Sequence, residues 1–260
     1  MGPRAAGGLA GALTATLAAA ARVTAEPDGR GGTALPVLAG GGPFALRRTL
    51  GAGTGAHVVL IGSMAAPLGG DRLAVHAEVR PGAELRLTSA AATISLPGTE
   101  TEVAYYEQRL TVGAGALLDW SPEPVIAAAG SHLVLTTRID LAAGARLRYR
   151  EEQVLGRLHD WTRGTGPGRL TSRLTVRQAG RVILDQQTDL GPGAPGWDGP
   201  ACLGGHRAIG QLLTVGLPAQ AAPDTGDAAL LALPGEGAAL LTALAPDALV
   251  LRRLMAGQAS

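Results

Sequence analysis

The chain has 260 residues with 22 basic and 21 acidic side chains, so its formal net charge is +1. Lysine is absent, which excludes a Walker A phosphate loop, a protein-kinase strand lysine and a Schiff-base lysine. The single cysteine, Cys202, excludes an internal disulfide, and near-zero charge with 3% aromatic residues disfavours nucleic acid and membrane surfaces as partners.

The first twenty residues form a segment rich in Ala and Gly, with an apolar run from Ala5 to Ala21. The run is too short and too interrupted by Gly and Thr to span a bilayer, which takes about 20 apolar residues. One interpretation is a weak signal peptide, and the other is a flexible extension. We expect a flexible extension over residues 1–20, a single β-rich domain over residues 21–260, and a cytoplasmic location.

From Ala21 onwards, short alternating segments are separated by Gly and Pro turns, which is typical of an all-β protein. The segment from Arg72 to Val79 is predicted to be a strand. In the next segment Leu85 and Leu87 alternate with polar residues, as expected of a half-buried strand.

A turn motif recurs at Gly82, Gly115 and Gly144, each between an apolar strand end and a new alternating strand. A fourth, weaker copy is centred on Ala179-Gly180. This repeat predicts stacked hairpins, each burying an apolar face that it could not cover alone. The expected fold is therefore a layered β-sandwich or a β-helix-like stack.

Two further elements are predicted near the C-terminus. Residues 210–217 resemble one more strand. A short helix is predicted from Pro246 to Met255, with Pro at its first position and Arg252 and Arg253 in its final turns. One or two short helices in all are expected.

No catalytic constellation is found in the sequence. The five histidines lack metal-ligand spacing, and no His-Glu-x-x-His motif is present. Ser131 and His132 are adjacent, so on a strand they would point to opposite faces and could not act as a nucleophile and its base. We predict neither an enzyme nor a tightly bound cofactor.

Arginines at alternate positions, Arg146, Arg148 and Arg150, are expected on one face of a strand. Such a stripe is either a solvated face paired with acidic neighbours such as Glu84 or Asp119, or a docking edge for a protein partner. Glu151 and Glu152 follow directly. At most one of these adjacent carboxylates can point inwards, and a buried carboxylate needs a partner or an ion.

Two loops are also candidate functional positions. In Trp120-Ser-Pro-Glu123-Pro, prolines hold Glu123 rigidly, although the aromatic side chain could simply close the core at a sheet edge. The paired glycines Gly69 and Gly70 allow a sharp turn just before Asp71. The alternative for that loop is an ordinary turn in which the Asp side chain caps backbone groups.

Five segments resemble, in order, the urease accessory protein D family (UreD, also called UreH). They are Pro67–Leu73, Leu87–Thr93, Gly115–Pro124, Leu155–Arg157 and Gly199–His206. The resemblance covers roughly Arg22 to the C-terminus. It implies a largely β-structured, non-enzymatic maturation factor that binds apo-urease and recruits urease accessory proteins F and G, the latter a GTPase, for nickel insertion.

The resemblance also implies an internal passage for nickel. On this basis Asp71, Glu123 and Glu152 are candidate carboxylates for transient nickel contact, because a conduit must bind its ion weakly enough to release it. Trp120, Gly156 and Arg157 are carried over as shape or docking positions. Replacing Asp71 or Glu152 with Ala is expected to preserve the fold while lowering nickel incorporation into urease.

Two other classes of function stay open at this point. A secreted β-helical carbohydrate-active enzyme or binding module would fit the stacked strands and the apolar N-terminus, and it predicts exposed aromatic platforms and paired carboxylates. A structural scaffold without a metal role is the third. Capture of the chain with urease subunits and a GTPase would distinguish the maturation-factor hypothesis from both alternatives.

Overall fold

The computed structural model describes residues 16–51, 53–99, 102–219, 221 and 226–256. Over these residues the protein is mainly β, as expected. The strands in chain order are β1 Ala18–Pro27, β2 Thr33–Ala39, β3 Phe44–Thr49, β4 Ala56–Gly62, β5 Arg72–Val79, β6 Glu84–Ser89, β7 Thr93–Ser95, β8 Ala104–Val112, β9 Leu117–Ser121, β10 Val125–Ala127, β11 His132–Leu141, β12 Arg146–Leu155, β13 Arg169–Gln178, β14 Arg181–Leu190, β15 Ala208–Val215, β16 Ala228–Ala232 and β17 Ala239–Ala245. The helices are α1 Leu158–Thr162 and α2 Ala248–Met255.

The described strands form two sheets. Sheet 1 has seven strands in the spatial order β14, β13, β11, β8, β5, β1 and β2. Sheet 2 has ten strands, with the main order β16, β17, β15, β12, β9, β6, β4 and β3, and with β10 and β7 attached beside β12. Their facing surfaces enclose one large apolar core that includes Trp120, Leu118 and Leu147.

The chain winds between the two sheets as a stack of coils. In sheet 1, β5, β8, β11 and β13 pair in parallel, and in sheet 2, β4, β6, β9 and β12 do the same. Each coil therefore adds one strand to each sheet and buries its apolar face against the coil before it. The β-helix-like stack expected from the repeat is confirmed.

The repeated turns are arches and not hairpins, which corrects one detail of the prediction. The strands on either side of Gly82, β5 and β6, belong to different sheets. Gly82, Gly115 and Gly144 have φ values of 77°, 66° and 70°, a region that glycine enters without steric cost. The arches stack through hydrogen bonds, because the Gly115 N–H donates to the Gly144 carbonyl at 3.3 Å.

The fourth unit, around Ala179-Gly180, does form a hairpin. It joins β13 and β14 as an antiparallel pair at the edge of sheet 1. Strand β14 turns back within sheet 1 and does not cross to sheet 2, so it pairs with β13 and becomes the edge strand.

The N-terminal boundary differs slightly from the expected one. Strand β1 begins at Ala18, so the last three residues of the expected extension belong to a strand that pairs in parallel with β5. Residues 1–15 lie outside the described residues.

The C-terminal helix is confirmed, with a later start than expected. Asp247 is the N-cap, and its carboxylate accepts a hydrogen bond from the Val250 N–H at 2.9 Å, so Pro246 precedes the helix. Leu251 and Met255 lie on the buried side of the helix. They contact Gly210 of β15, where a Cβ atom would lie 2.2 Å from the Met255 sulfur. No helix in the described part of the chain is long and apolar enough to cross a membrane.

Candidate functional site

Strand β12 carries carboxylates on both of its faces. Glu151 is 6% exposed and Glu152 is 2% exposed. Alternation along the strand directs Glu151 into the space between the sheets, where it contacts Ser172 of sheet 1. Glu152 points to the outer face of sheet 2, where Arg252 of α2 contacts it. The expectation that only one of the pair points inwards is correct, yet both are buried.

The inner carboxylate belongs to a polar column between the sheets. One Glu151 oxygen lies 2.5 Å from the Tyr149 hydroxyl, and the other accepts hydrogen bonds from Gln153 Nε2 at 2.5 Å and from Ser172 Oγ at 3.3 Å. The Tyr149 hydroxyl also lies 3.3 Å from Thr137 Oγ1. Because the surrounding core is apolar, this column is a distinct chemical feature of the interior. We call these residues, with Gln108 beyond Thr137 at 3.2 Å, the interior polar column.

Burial dominates the electrostatics of this column. It raises the pKa of the Glu151 carboxyl, although hydrogen bonds from Tyr149, Gln153 and Ser172 act in the opposite direction. Burial, together with the charge of Glu151, also raises the pKa of Tyr149. Gln153 Oε1 is buried without a hydrogen-bond partner among the described residues. The column therefore has spare acceptor capacity for a polar guest.

The outer carboxylate forms a three-residue cluster with Glu123 and Arg252. The Arg252 guanidinium donates to Glu152 at 2.6 and 3.2 Å and to Glu123 at 3.0 and 3.4 Å. These hydrogen bonds, those that Arg252 donates to Glu152 foremost, raise the pKa of Arg252. One cation thus ties the C-terminal helix to both carboxylates, and we call this set the Arg252 cluster.

The structure places Asp71 in a different role. Its carboxylate accepts hydrogen bonds from the backbone N–H groups of Leu17 at 3.0 Å and Leu68 at 2.8 Å. Gly70 adopts a φ of 91°, and a Cβ atom on Gly69 would lie 2.7 Å from the Gly98 nitrogen. The paired glycines and Asp71 therefore form the backbone-capping turn that was the alternative interpretation.

The sequence predicted that Asp71→Ala would preserve the fold, but these hydrogen bonds indicate that the variant is less stable than wild type. Loss of the carboxylate leaves two partly buried N–H groups without an acceptor, so we expect the free energy of unfolding to fall by about 1–2 kcal/mol. Urea denaturation of the variant and of wild type would measure this. As a control, Asp198→Ala, in the loop after Trp197, should change stability by less than about 0.5 kcal/mol. Equal stability of Asp71→Ala and wild type would contradict the assignment.

Trp120 is a core residue. It is fully buried on the inner face of sheet 2, and its Cα partner on the neighbouring strand is Tyr149. Its indole Nε1 has no hydrogen-bond partner among the described residues. Trp120 thus closes the core next to the interior polar column, and Glu123, three residues later, reaches the outer face.

The arginine stripe lies on the outer face of sheet 2, as predicted. Arg146 pairs with Glu84 at 2.8 Å, in agreement with the solvated-face interpretation. Arg150 donates to the Pro122 carbonyl at 3.0 Å and so supports the loop that holds Glu123. Arg148 is exposed between them, with Asp119 as its Cα partner on β9.

Gly156 and Arg157 shape the corner after β12. Gly156 has a φ of 74°, and a Cβ atom there would lie 2.8 Å from the Trp161 indole nitrogen. Arg157 forms a bidentate pair with the buried Asp160 at 2.7 and 3.1 Å. This pairing, against the effect of burial, lowers the pKa of Asp160 to about 2. Both residues therefore hold the corner and α1 in place.

Sequence patterns alone did not identify Glu151, Gln153 and Arg252 as site residues. A signal for the first two was present, because Tyr149, Glu151 and Gln153 occupy alternate positions on the strand face that begins with the buried Leu147. No local signal connects Arg252 with residues 100 and 129 positions away. Within the described residues, no group of three His, Cys, Asp or Glu side chains could hold a metal ion.

Comparisons with known proteins agree with the resemblance found in the sequence. A family model described as UreD urease accessory protein matches residues 17–260. A urease accessory protein UreD from Streptomyces avermitilis is 56% identical over 242 residues, covering 91% of this chain and 94% of the relative. Relatives of the same name from Streptomyces coelicolor and a Parafrankia species are 57% and 40% identical, each covering 92% of this chain, and 94% and 86% of the respective relative.

Proposed function

The chain belongs to the UreD urease accessory protein family, and on that premise we propose that it is a scaffold for nickel insertion into urease. In this role it binds apo-urease and recruits urease accessory proteins F and G. The absence of lysine supports a division of labour in which the GTPase partner carries the nucleotide chemistry, because a Walker A loop needs lysine. The proposed location is the cytoplasm.

The observation that carries the nickel part of the proposal is the interior polar column. A divalent nickel ion binds carboxylate and water oxygen atoms and imidazole nitrogen atoms. The column offers the Glu151 carboxylate, the free Gln153 carbonyl oxygen and the three hydroxyl groups of Tyr149, Ser172 and Thr137 between the sheets. A single carboxylate whose protonated form is favoured by burial binds a cation weakly, which suits transfer better than storage.

The carboxylates first expected to line the passage would contribute differently. Asp71 is occupied by two backbone N–H groups. Glu123 and Glu152 already share the positive charge of Arg252, so they become available to nickel only when that guanidinium moves away. We therefore propose Glu151 as the principal carboxylate of the passage and the Arg252 cluster as a secondary one.

The carbohydrate-module alternative finds little support in the described residues. It requires exposed aromatic platforms. Trp120, Tyr106 and Tyr149 are instead buried in the core, and Arg207 covers the Trp161 ring at 4.4 Å. The relatives are named as accessory proteins, which is consistent with a non-enzymatic role.

Co-expression tests the proposal directly. Apo-urease subunits with accessory proteins F and G would be produced with and without this chain, followed by measurement of ureolysis and of nickel bound per urease. We expect nickel loading and ureolysis only when the chain is present, and we expect it to co-purify with urease and the GTPase. Full activation without the chain, or no association with either partner, would refute the proposal.

A further inference from the structure

The outer face of sheet 1 carries three arginines and one histidine in register across four strands. Arg22 of β1 is the Cα partner of His76 of β5, which is the partner of Arg109 of β8, which is the partner of Arg138 of β11. The four side chains point away from the core, and those of Arg109 and Arg138 are 55% and 56% exposed. We call this set the cationic row.

One pair in this row is unfavourable for the sheet, because Arg109 faces Arg138 directly. Like charges directly opposite one another on neighbouring strands destabilise a sheet. Glu107 alone pairs with two members, at 2.9 Å from Arg109 and 3.0 Å from Arg138. Arg22 forms no ion pair with any described residue. The row itself therefore holds three guanidinium groups and one paired carboxylate, with the exposed Glu78 and Asp140 two residues further along β5 and β11 on the same face.

His76 shows the same shortage of partners. Its Nε2 atom is buried and has no hydrogen-bond partner among the described residues. Burial, and then the charges of Arg109 and Arg22, lower the pKa of His76. An acidic group placed over the row would offset the charge of the arginines and can accept a hydrogen bond from His76 when its Nε2 carries the proton.

The spacing of the row selects the kind of acidic partner. Neighbouring strands lie about 4.8 Å apart, whereas side chains on one face of an α-helix, three or four residues apart, lie about 5–6 Å apart. Same-face side chains of an extended strand are separated by about 6.6 Å. A helix laid across the strands therefore matches the row better than an added extended segment does.

Space for such a helix exists on both sides of Arg138. A cleft of about 350 Å³ is lined by residues including Arg138, Arg173 and Arg177, together with Asp140 and Asp185. Another of about 300 Å³ is lined by residues including Ala74, Tyr105 and Glu107. We propose that the cationic row is a docking surface for an acidic α-helix of a protein partner. The inference rests on the proposed function in one respect, namely that the partner with this helix belongs to the urease-assembly complex.

Peptide binding to the full chain tests the inference. The probe is an alanine-based helical peptide with Glu at every third or fourth position along one face, measured by fluorescence anisotropy at low ionic strength. We expect Arg22→Glu/Arg138→Glu to bind it at least about tenfold more weakly than wild type. The matched control Arg30→Glu/Arg163→Glu changes net charge equally at exposed positions elsewhere and should bind as wild type does.

Three results would overturn the inference: no binding by wild type, equal binding by the reversed-charge variant, or tighter binding of a short DNA duplex than of the peptide. A peptide of the same composition with Glu distributed around the helix should bind more weakly. If the reversed-charge variant does not fold, Arg22→Gln/Arg138→Gln replaces it, with an expected loss of about threefold. Ureolysis reports separately on the proposed function, so the two can fail independently.

Discussion

Replacing Arg252 with Met is expected to lower the free energy of unfolding by about 2–3 kcal/mol. The variant removes the closer cation from Glu152, which is 2% exposed, and leaves it only the longer ion pair with Arg150 at 3.6 Å. Breaking a buried ion pair by removing one partner costs about 3–5 kcal/mol, and the lower figure allows for solvent screening because the Arg252 side chain is 37% exposed. Urea denaturation monitored by circular dichroism would measure the difference.

The neighbouring residue provides a matched control. Arg253 lies on the same helix but is exposed, so Arg253→Met should change stability by less than about 0.5 kcal/mol. Adding Glu152→Gln to Arg252→Met should restore most of the lost stability, because the buried charge is then removed as well. The Arg252 cluster would lose its assigned role if the double variant were no more stable than Arg252→Met.

Replacing Glu151 with Gln is expected to lower the nickel incorporated into urease about tenfold while the chain still co-purifies with its partners. Gln has the same shape and can keep hydrogen bonds within the interior polar column, but it has no carboxylate to contact a cation. Nickel per urease active site, measured by atomic absorption after co-expression, gives the result. The matched variant Glu152→Gln changes the adjacent carboxylate on the outer face.

The pair of variants decides between the two faces of β12. A passage through the interior requires a large effect of Glu151→Gln and a small effect of Glu152→Gln. The reverse result would assign nickel contact to the Arg252 cluster, and full loading in both variants would remove carboxylates of β12 from the passage altogether.

Glu151→Gln should also alter how the free energy of unfolding depends on pH. Because burial raises the pKa of Glu151 above the ordinary 4.5 in the folded state, the folded chain holds this proton more tightly than the unfolded chain. The stability that protonated Glu151 contributes is therefore fully present below the pKa that Glu151 has in the unfolded chain. It is lost as pH rises through the higher pKa of Glu151 in the folded chain. Relative to wild type, Glu151→Gln should become more stable as pH rises, by at most about 1.4 kcal/mol per pH unit. A difference independent of pH would contradict the assignment.

Much of the fold could be predicted because its signals are local. The strand from Arg72 to Val79 matches β5 in full, and alternation at Leu85 and Leu87 placed the correct side chains in the core. The turns at Gly82, Gly115 and Gly144 need positive φ, which their residue type indicates by itself. Their arch geometry could not be predicted, since a turn does not specify whether the next strand pairs with its predecessor or crosses to the opposite sheet.

The candidate site was only partly predictable for a similar reason. The sequence shows that Glu151 and Glu152 must point in opposite directions, but not which of them faces the other sheet. That depends on the register of β12 against β9 and β15. Asp71 and Arg157 likewise resembled functional residues until their hydrogen-bond partners were known.

The sequence by itself determined the all-β class, the repeating coil, the absence of lysine-dependent chemistry and the membership of the family. These properties depend on residue type and on short-range periodicity, which the chain carries wherever it is read. Only the tertiary structure decided that Glu151 joins the interior polar column, that Arg252 reaches Glu123 and Glu152, and that three arginines and a histidine align across sheet 1. Those contacts join residues on different coils, and they exist only because parallel stacking sets the register between distant segments.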